Sequence, residues 1–180
     1  MTDTPEFARP FRLDAIGGEP RRVSIAANEA ECAALAVRFG LSAIGRLEAE
    51  ATLRREGMRV WAEGRFRAEA VQTCVATGDP IPISVEEPFA LRFDPEDAAD
   101  PDEELELDES DLDLLSYAGG AIDLGEAVAQ GFTLALDPFP RVADAEARLR
   151  AAGVASEEEA EAQRIAASPF AALGGLTGKK

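Results

Sequence analysis

Gly64 to Phe93, GRFRAEAVQTCVATGDPIPISVEEPFALRF, constrains the fold more than any other stretch of the chain. Apolar and polar residues alternate along two runs that flank a polar corner at Thr77-Gly78-Asp79-Pro80. Phe66, Ala68 and Ala70 share one face of the first run, against Arg65, Arg67 and Glu69 on the other. Ile81, Ile83, Val85, Phe89, Leu91 and Phe93 share a face of the second, interrupted only by Glu87. A period of two over this length specifies half-buried strands, and Gly-Asp-Pro is turn chemistry. The stretch predicts a β-hairpin or strand corner with Cys74 beside its bend.

A second hairpin precedes it, over 44–56 and 58–70. With Glu56-Gly57 as a two-residue turn, Leu47 pairs with Phe66, Ala49 with Gly64, Ala51 with Ala62 and Leu53 with Val60. The opposite face then sets Glu48 against Arg65, Thr52 against Trp61 and Arg54 against Arg59. That face gathers the single Trp among arginines, so Arg54, Arg59, Trp61, Arg65 and Arg67 are the candidate surface for RNA or a protein partner. The alternative is a solvated sheet face with Trp61 covered by another element.

Helix signals are local and clear. Asn28 with Glu31 forms a capping-box pattern before a helix over Glu29–Phe39, with Cys32, Leu35, Ala36 and Phe39 on one stripe and Gly40 ending it. Cys32 reads as a small core residue. Asp123 with Glu126 opens a second, largely apolar helix expected to reach about Leu136, because Pro138 and Pro140 forbid continuation. Shorter polar helices are expected over 142–152 and 156–167, the latter opened by Ser156 with Glu159. Pro10 places residues 5–13 on a sheet edge, and Arg22 to Ala26 form a short strand. The fold class is therefore α+β: a predominantly antiparallel β-sheet or partly closed barrel with two or more packed helices. We expect one domain over 1–150 with a flexible acidic insertion at about 94–113, and a short helical, partly mobile tail over 151–180.

Charge separates the partner classes. Residues 1–70 carry 11 basic and 11 acidic side chains, whereas 71–180 carry 7 basic and 24 acidic, the whole of the net charge of −17. Within 94–113, 12 of 20 residues are acidic and none is basic, a density that repels itself and disfavours packing. Such a chain repels phosphate backbones over most of its surface, so DNA is not an expected partner and basic proteins are. The acidic run lacks the Gly and the ligand spacing of a calcium loop. Two cysteines and no histidine supply neither a disulfide framework nor a four-ligand zinc site, so no metal and no cofactor is expected. No apolar run is long enough to span a bilayer and the N-terminus lacks a secretory core, so the expectation is a cytoplasmic protein without membrane contact.

Several stretches together resemble the YceD family, the large ribosomal RNA subunit accumulation proteins, in its alphaproteobacterial form. They are Gln72-Thr73-Cys74-Val75, Glu87-Pro88-Phe89, Ile122-Asp123-Leu124-Gly125-Glu126 and Asp137-Pro138-Phe139-Pro140-Arg141, with the EFARPFRL opening and the SPFAALGGL ending. The resemblance marks Gln72, Cys74, Glu87, Pro88, Asp123, Leu124, Gly125, Glu126, Asp137, Pro138, Pro140 and Arg141 as family-motif residues. None of them is a catalytic signature. The resemblance implies a bacterial ribosome-biogenesis role in accumulation or processing of 23S rRNA. It makes the partner a large-subunit precursor particle or a basic ribosomal protein, with a local RNA contact. Many members carry Cys-x-x-Cys at the corner; here Thr77 stands where the second cysteine would be, which argues further against metal. The leading expectation is a non-catalytic assembly factor. The alternatives are a metal-dependent nuclease acting on rRNA precursors, which needs rigid converging carboxylates, and a redox sensor acting through Cys74.

Overall fold

The computed structural model of the chain describes residues 5–96, 113–155 and 157–167. The chain divides into two compact units, one of Met1–Thr73 with Pro80–Pro138, the other of Cys74–Asp79 with Phe139–Lys180.

The first unit is built on a five-stranded sheet. Its strands are β2 (Arg21–Ala26), β3 (Ala43–Glu56), β4 (Arg59–Thr73), β5 (Pro80–Pro95) and β6 (Asp113–Tyr117), in the order β2-β3-β4-β5-β6. All pairs are antiparallel except β5 with β6, which is parallel. A separate two-stranded ribbon joins β1 (Pro10–Arg12) to β7 (Ala121–Asp123). The α+β class stands, with an open sheet whose edges are β2 and β6 in place of a closed barrel. Helices α1 (Glu29–Phe39) and α2 (Leu124–Leu134) belong to this unit.

The central hairpin forms as its alternation demands, with Thr73 opposite Pro80 and residues 74–79 as the connection. The preceding hairpin is shifted. Its turn residues are Gly57-Met58, with Glu56 opposite Arg59. Leu47 therefore faces Ala68, Ala49 faces Phe66, Ala51 faces Gly64 and Leu53 faces Ala62. The reason lies in the turn: Gly57 has φ 62 and is followed by a residue of negative φ, the sign pattern of a type II′ turn with Gly first. The expected turn made Gly57 second. Moving the turn by one residue shifts the pairing by two, so both faces keep their residues.

Residues 47–53 of β3 and 60–70 of β4 alternate between buried and outward positions, and the inward ones join Phe7, Leu35, Ile122, Leu124, Val128 and Phe132 in one core. The Phe132 ring on α2 meets Phe39 and Phe66 edge-on, at 6.2 and 6.5 Å between centroids. Helix α1 has the expected bounds and the full capping box: Asn28 Oδ1 accepts from Glu31 N, Glu31 Oε2 accepts from Asn28 N, and Gly40 closes it at φ 65. Cys32 is buried on its inner stripe, and burial pushes its thiol pKa up. Helix α2 stops at Leu134, two residues before the expected end. The ends of the acidic run are ordered into strands: Asp94 and Pro95 extend β5 and Asp113 opens β6. Residues 97–112, Ser156 and the SPFAALGGL ending lie outside the described residues.

The second unit contains α3 (Ala145–Ala151) and α4 (Glu157–Ala167). The 74–79 loop is fastened within it. Cys74 N donates to Asp79 O at 2.8 Å, Gly78 N to Cys74 O at 2.9 Å, and Val75 N to Pro140 O at 2.9 Å. Arg148 bridges Asp79 and Asp144. No described helix is long and apolar enough to cross a membrane.

Candidate partner-binding face and motif residues

The face carrying Arg54, Arg59, Trp61, Arg65 and Arg67 is the outward side of β3, β4 and β5. The observed register replaces the expected neighbours. Arg54 stands opposite Trp61, Glu56 opposite Arg59, Glu50 opposite Arg65 and Glu48 opposite Arg67. The Arg54 guanidinium lies 4.9 Å from the Trp61 ring centroid, a cation–π contact across the strand pair, and Trp61 is half-buried beneath it. Arg54 also pairs with Glu56. Arg59 approaches Asp94 at 3.6 Å, and Arg65 and Arg67 converge on Glu86 at 2.7 and 3.3 Å. These two guanidiniums hold the Glu86 carboxyl below the usual carboxylate range, chiefly through their hydrogen bonds. The four arginines are thus interleaved with carboxylates, and the face is charge-compensated. Exposed pairs of this kind stabilise little, but each one offers a phosphate a neighbouring negative charge.

The motif residues fall into three groups. Asp123 caps α2: its Oδ1 accepts from Glu126 N at 3.1 Å and from Arg9 N at 2.8 Å. Leu124 is fully buried. Gly125 sits where a Cβ would lie 2.0 Å from the Phe7 carbonyl oxygen, so only glycine fits. Glu126 reaches across to Arg38, which donates to both its oxygens at 2.7 and 2.9 Å and also to Glu6. Those bonds keep Glu126 ionised to lower pH than a free glutamate. Arg9 performs the same office for α1, donating twice to Glu31 at 2.7 and 2.8 Å. Neither arginine carries a sequence signal, because its partner is distant along the chain.

In the second group, Gln72 is buried and its Nε2 donates to Asp137 O at 2.8 Å, with Pro138 following directly. Within the other unit, Cys74 is 2 % exposed and its Sγ accepts from Val142 N at 3.5 Å, while Pro140 is buried and Arg141 exposed. The Thr77 side chain beside it, helped by the Val142, Ala76 and Thr77 N–H groups, pulls the Cys74 pKa to about 7 against desolvation. The Thr77 hydroxyl itself donates to Asp79 Oδ2 at 2.7 Å. Among the described residues no three His, Cys, Asp or Glu side chains cluster closely enough to hold a metal ion. Glu87 and Pro88 form the third group, exposed on β5 opposite Phe66 and Arg65.

An open five-stranded sheet with packed, capped helices, in which motif residues fasten backbone segments together, places the chain among α+β proteins. The family described as large ribosomal RNA subunit accumulation protein YceD matches residues 62–177, and the chain belongs to it. The match ties the chain to accumulation of large-subunit rRNA and begins in β4, spanning the motif residues from Gln72 to Arg141. No curated protein and no solved structure matches the chain.

Proposed function

We propose that this chain is a non-catalytic ribosome-biogenesis factor that supports large-subunit rRNA by engaging a basic ribosomal protein, free or on the assembling particle. The observation that carries this reading is the pairing of Arg54, Arg59, Arg65 and Arg67 with Glu56, Asp94 and Glu86 in a chain of net charge −17. A surface compensated in this way favours a cationic protein over a bare phosphate backbone. RNA contact through the Trp61 face stays secondary, since stacking on Trp61 would have to displace Arg54.

Sedimentation of the tagged chain from native lysate through sucrose gradients at low and high salt tests the proposal. Comigration with large-subunit precursors, or with a co-purifying basic ribosomal protein, is expected at low salt and its loss at high salt. Protein alone at the top of the gradient in both conditions overturns it. Charge reversal at Arg54, Arg59 and Arg65 separates the modes: a protein-held complex survives, an RNA-held one is lost. Cleavage of precursor rRNA by the pure chain with Mg²⁺ would establish the nuclease alternative. Full function of Cys74→Ser would end the redox one.

A further inference from the structure

The inward row of β5 runs Ile81, Ile83, Val85, Glu87, Phe89, Leu91, Phe93, with one carboxylate among apolar side chains. Glu87 stands opposite buried Phe66 yet is exposed, because the sheet and α2 part there. Between them lies a cleft of about 400 Å³ floored by Phe66, Phe89, Leu91 and Val128. Leu134, at the last turn of α2, lines its mouth with 84 % of its surface exposed. Glu87 and Asp113 line it too, and among the described residues the lining contains no basic one. Among the described residues neither carboxylate has an ion-pair partner, in contrast to Glu86 beside them, which holds two arginines. The carbonyl end of α2 adds partial negative charge at the same mouth.

We propose that this cleft is a docking site for a cationic amphipathic segment of a protein partner, an apolar side chain entering between Phe89 and Leu134 and flanking Lys or Arg side chains meeting Glu87 and Asp113. The inference rests on the reading of the chain as a binder of basic protein and assigns the surface that does it. An apolar floor excludes a phosphate backbone, and unpaired carboxylates exclude an acidic partner.

The test uses the full chain and a fluorescein-labelled synthetic peptide of Lys, Arg and Leu, with a Lys-only peptide of equal charge and poly(U) as comparators. Anisotropy should show the Leu-containing peptide binding more tightly than the Lys-only one, and amide resonances of Phe66, Phe89, Val128 and Leu134 should shift. Glu87→Lys and Leu134→Ser alter exposed side chains, and each should weaken binding about tenfold with unchanged circular dichroism. Gly131→Ala provides an independent variant: its methyl would enter the cleft 3.8 Å from Phe66 Cε1, and it should weaken binding while favouring the helix. Equal binding by wild type and all three variants overturns the cleft and leaves the basic-partner reading standing. So does the absence of peptide binding by a chain that still comigrates with precursor particles. Poly(U) shifting the same resonances overturns the cleft as a protein site.

Discussion

Gly125 and Gly64 occupy positions that no other residue type can fill. A Cβ at Gly125 would meet the Phe7 carbonyl oxygen at 2.0 Å, and one at Gly64 would meet the Glu50 carbonyl oxygen at 2.1 Å. Both obstacles are backbone, so relief requires moving a segment of chain. Gly125→Ala and Gly64→Ala are each expected to destabilise by about 3 kcal/mol in urea unfolding, whereas Gly120→Ala, with nothing within 4 Å of its Cβ, is expected to be near neutral. Gly125 was legible as a motif residue from the sequence, but the reason was not, since Phe7 is far away along the chain. Cys74 makes a pH prediction at the same scale. Its folded pKa of about 7 lies below the value of an unfolded cysteine, about 8.5. The stabilisation it contributes is therefore present above the unfolded pKa and lost as pH falls through about 7. Urea midpoints measured at pH 6 and 8.5 should differ more in wild type than in Cys74→Ser. Cys32, whose pKa burial raises, is present in both chains, so its own pH dependence cancels from the comparison.

Among the elements, α1 and α2 show what local chemistry can and cannot specify. The Asn28–Glu31 capping box and Gly40 fixed both ends of α1 within the sequence itself. At α2 the same pattern is half used: Asp123 caps, while Glu126 turns away to Arg38 on α1. That choice depends on tertiary placement and leaves no trace in spacing. The β3–β4 register followed the same division. Alternation determined the faces, the glycine's place in the turn determined the pairing, and the pairing decided which acid each outer arginine meets. Strand β6 carries no sequence signal, because its five residues follow the acidic run and pair in parallel with β5, so neither a turn nor a long alternation announces it. The cleft shows the opposite case: Glu87 broke the apolar row visibly, but only the position of α2 gives that break a meaning. Arg38 gathers Glu6 and Glu126 at the junction of the N-terminal segment with both helices. Arg38→Met should cost about 2 kcal/mol, because it strands a partly buried carboxylate. A double-mutant cycle with Glu126→Gln should recover most of that loss. Glu126 and Glu31 are held below the ordinary glutamate pKa, so their stabilisation is complete above that value and disappears as pH falls below it.

For the whole molecule, the charge imbalance makes stability and association respond to salt in opposite directions. Residues 71–180 carry 24 acidic side chains against 7 basic ones, and mutual repulsion among them opposes compactness. Raising ionic strength from 0.01 to 0.15 M shortens the screening length from about 30 Å to about 8 Å. The same screening weakens the exposed pairs of Arg65 and Arg67 with Glu86, but such pairs are worth only about 0–1 kcal/mol each, and repulsion over the acidic excess outweighs them. Thermal unfolding followed by circular dichroism should therefore show a midpoint that rises by about 2–5 °C over that salt range. A midpoint that falls would mean that ion pairs, rather than burial, hold the sheet together. The proposed binding of a cationic segment should weaken over the same range, because its attraction would come from the carboxylates that salt screens. A complex that dissociates as the free chain grows more stable cannot be explained by unfolding, so the two titrations together separate loss of a partner from loss of the fold.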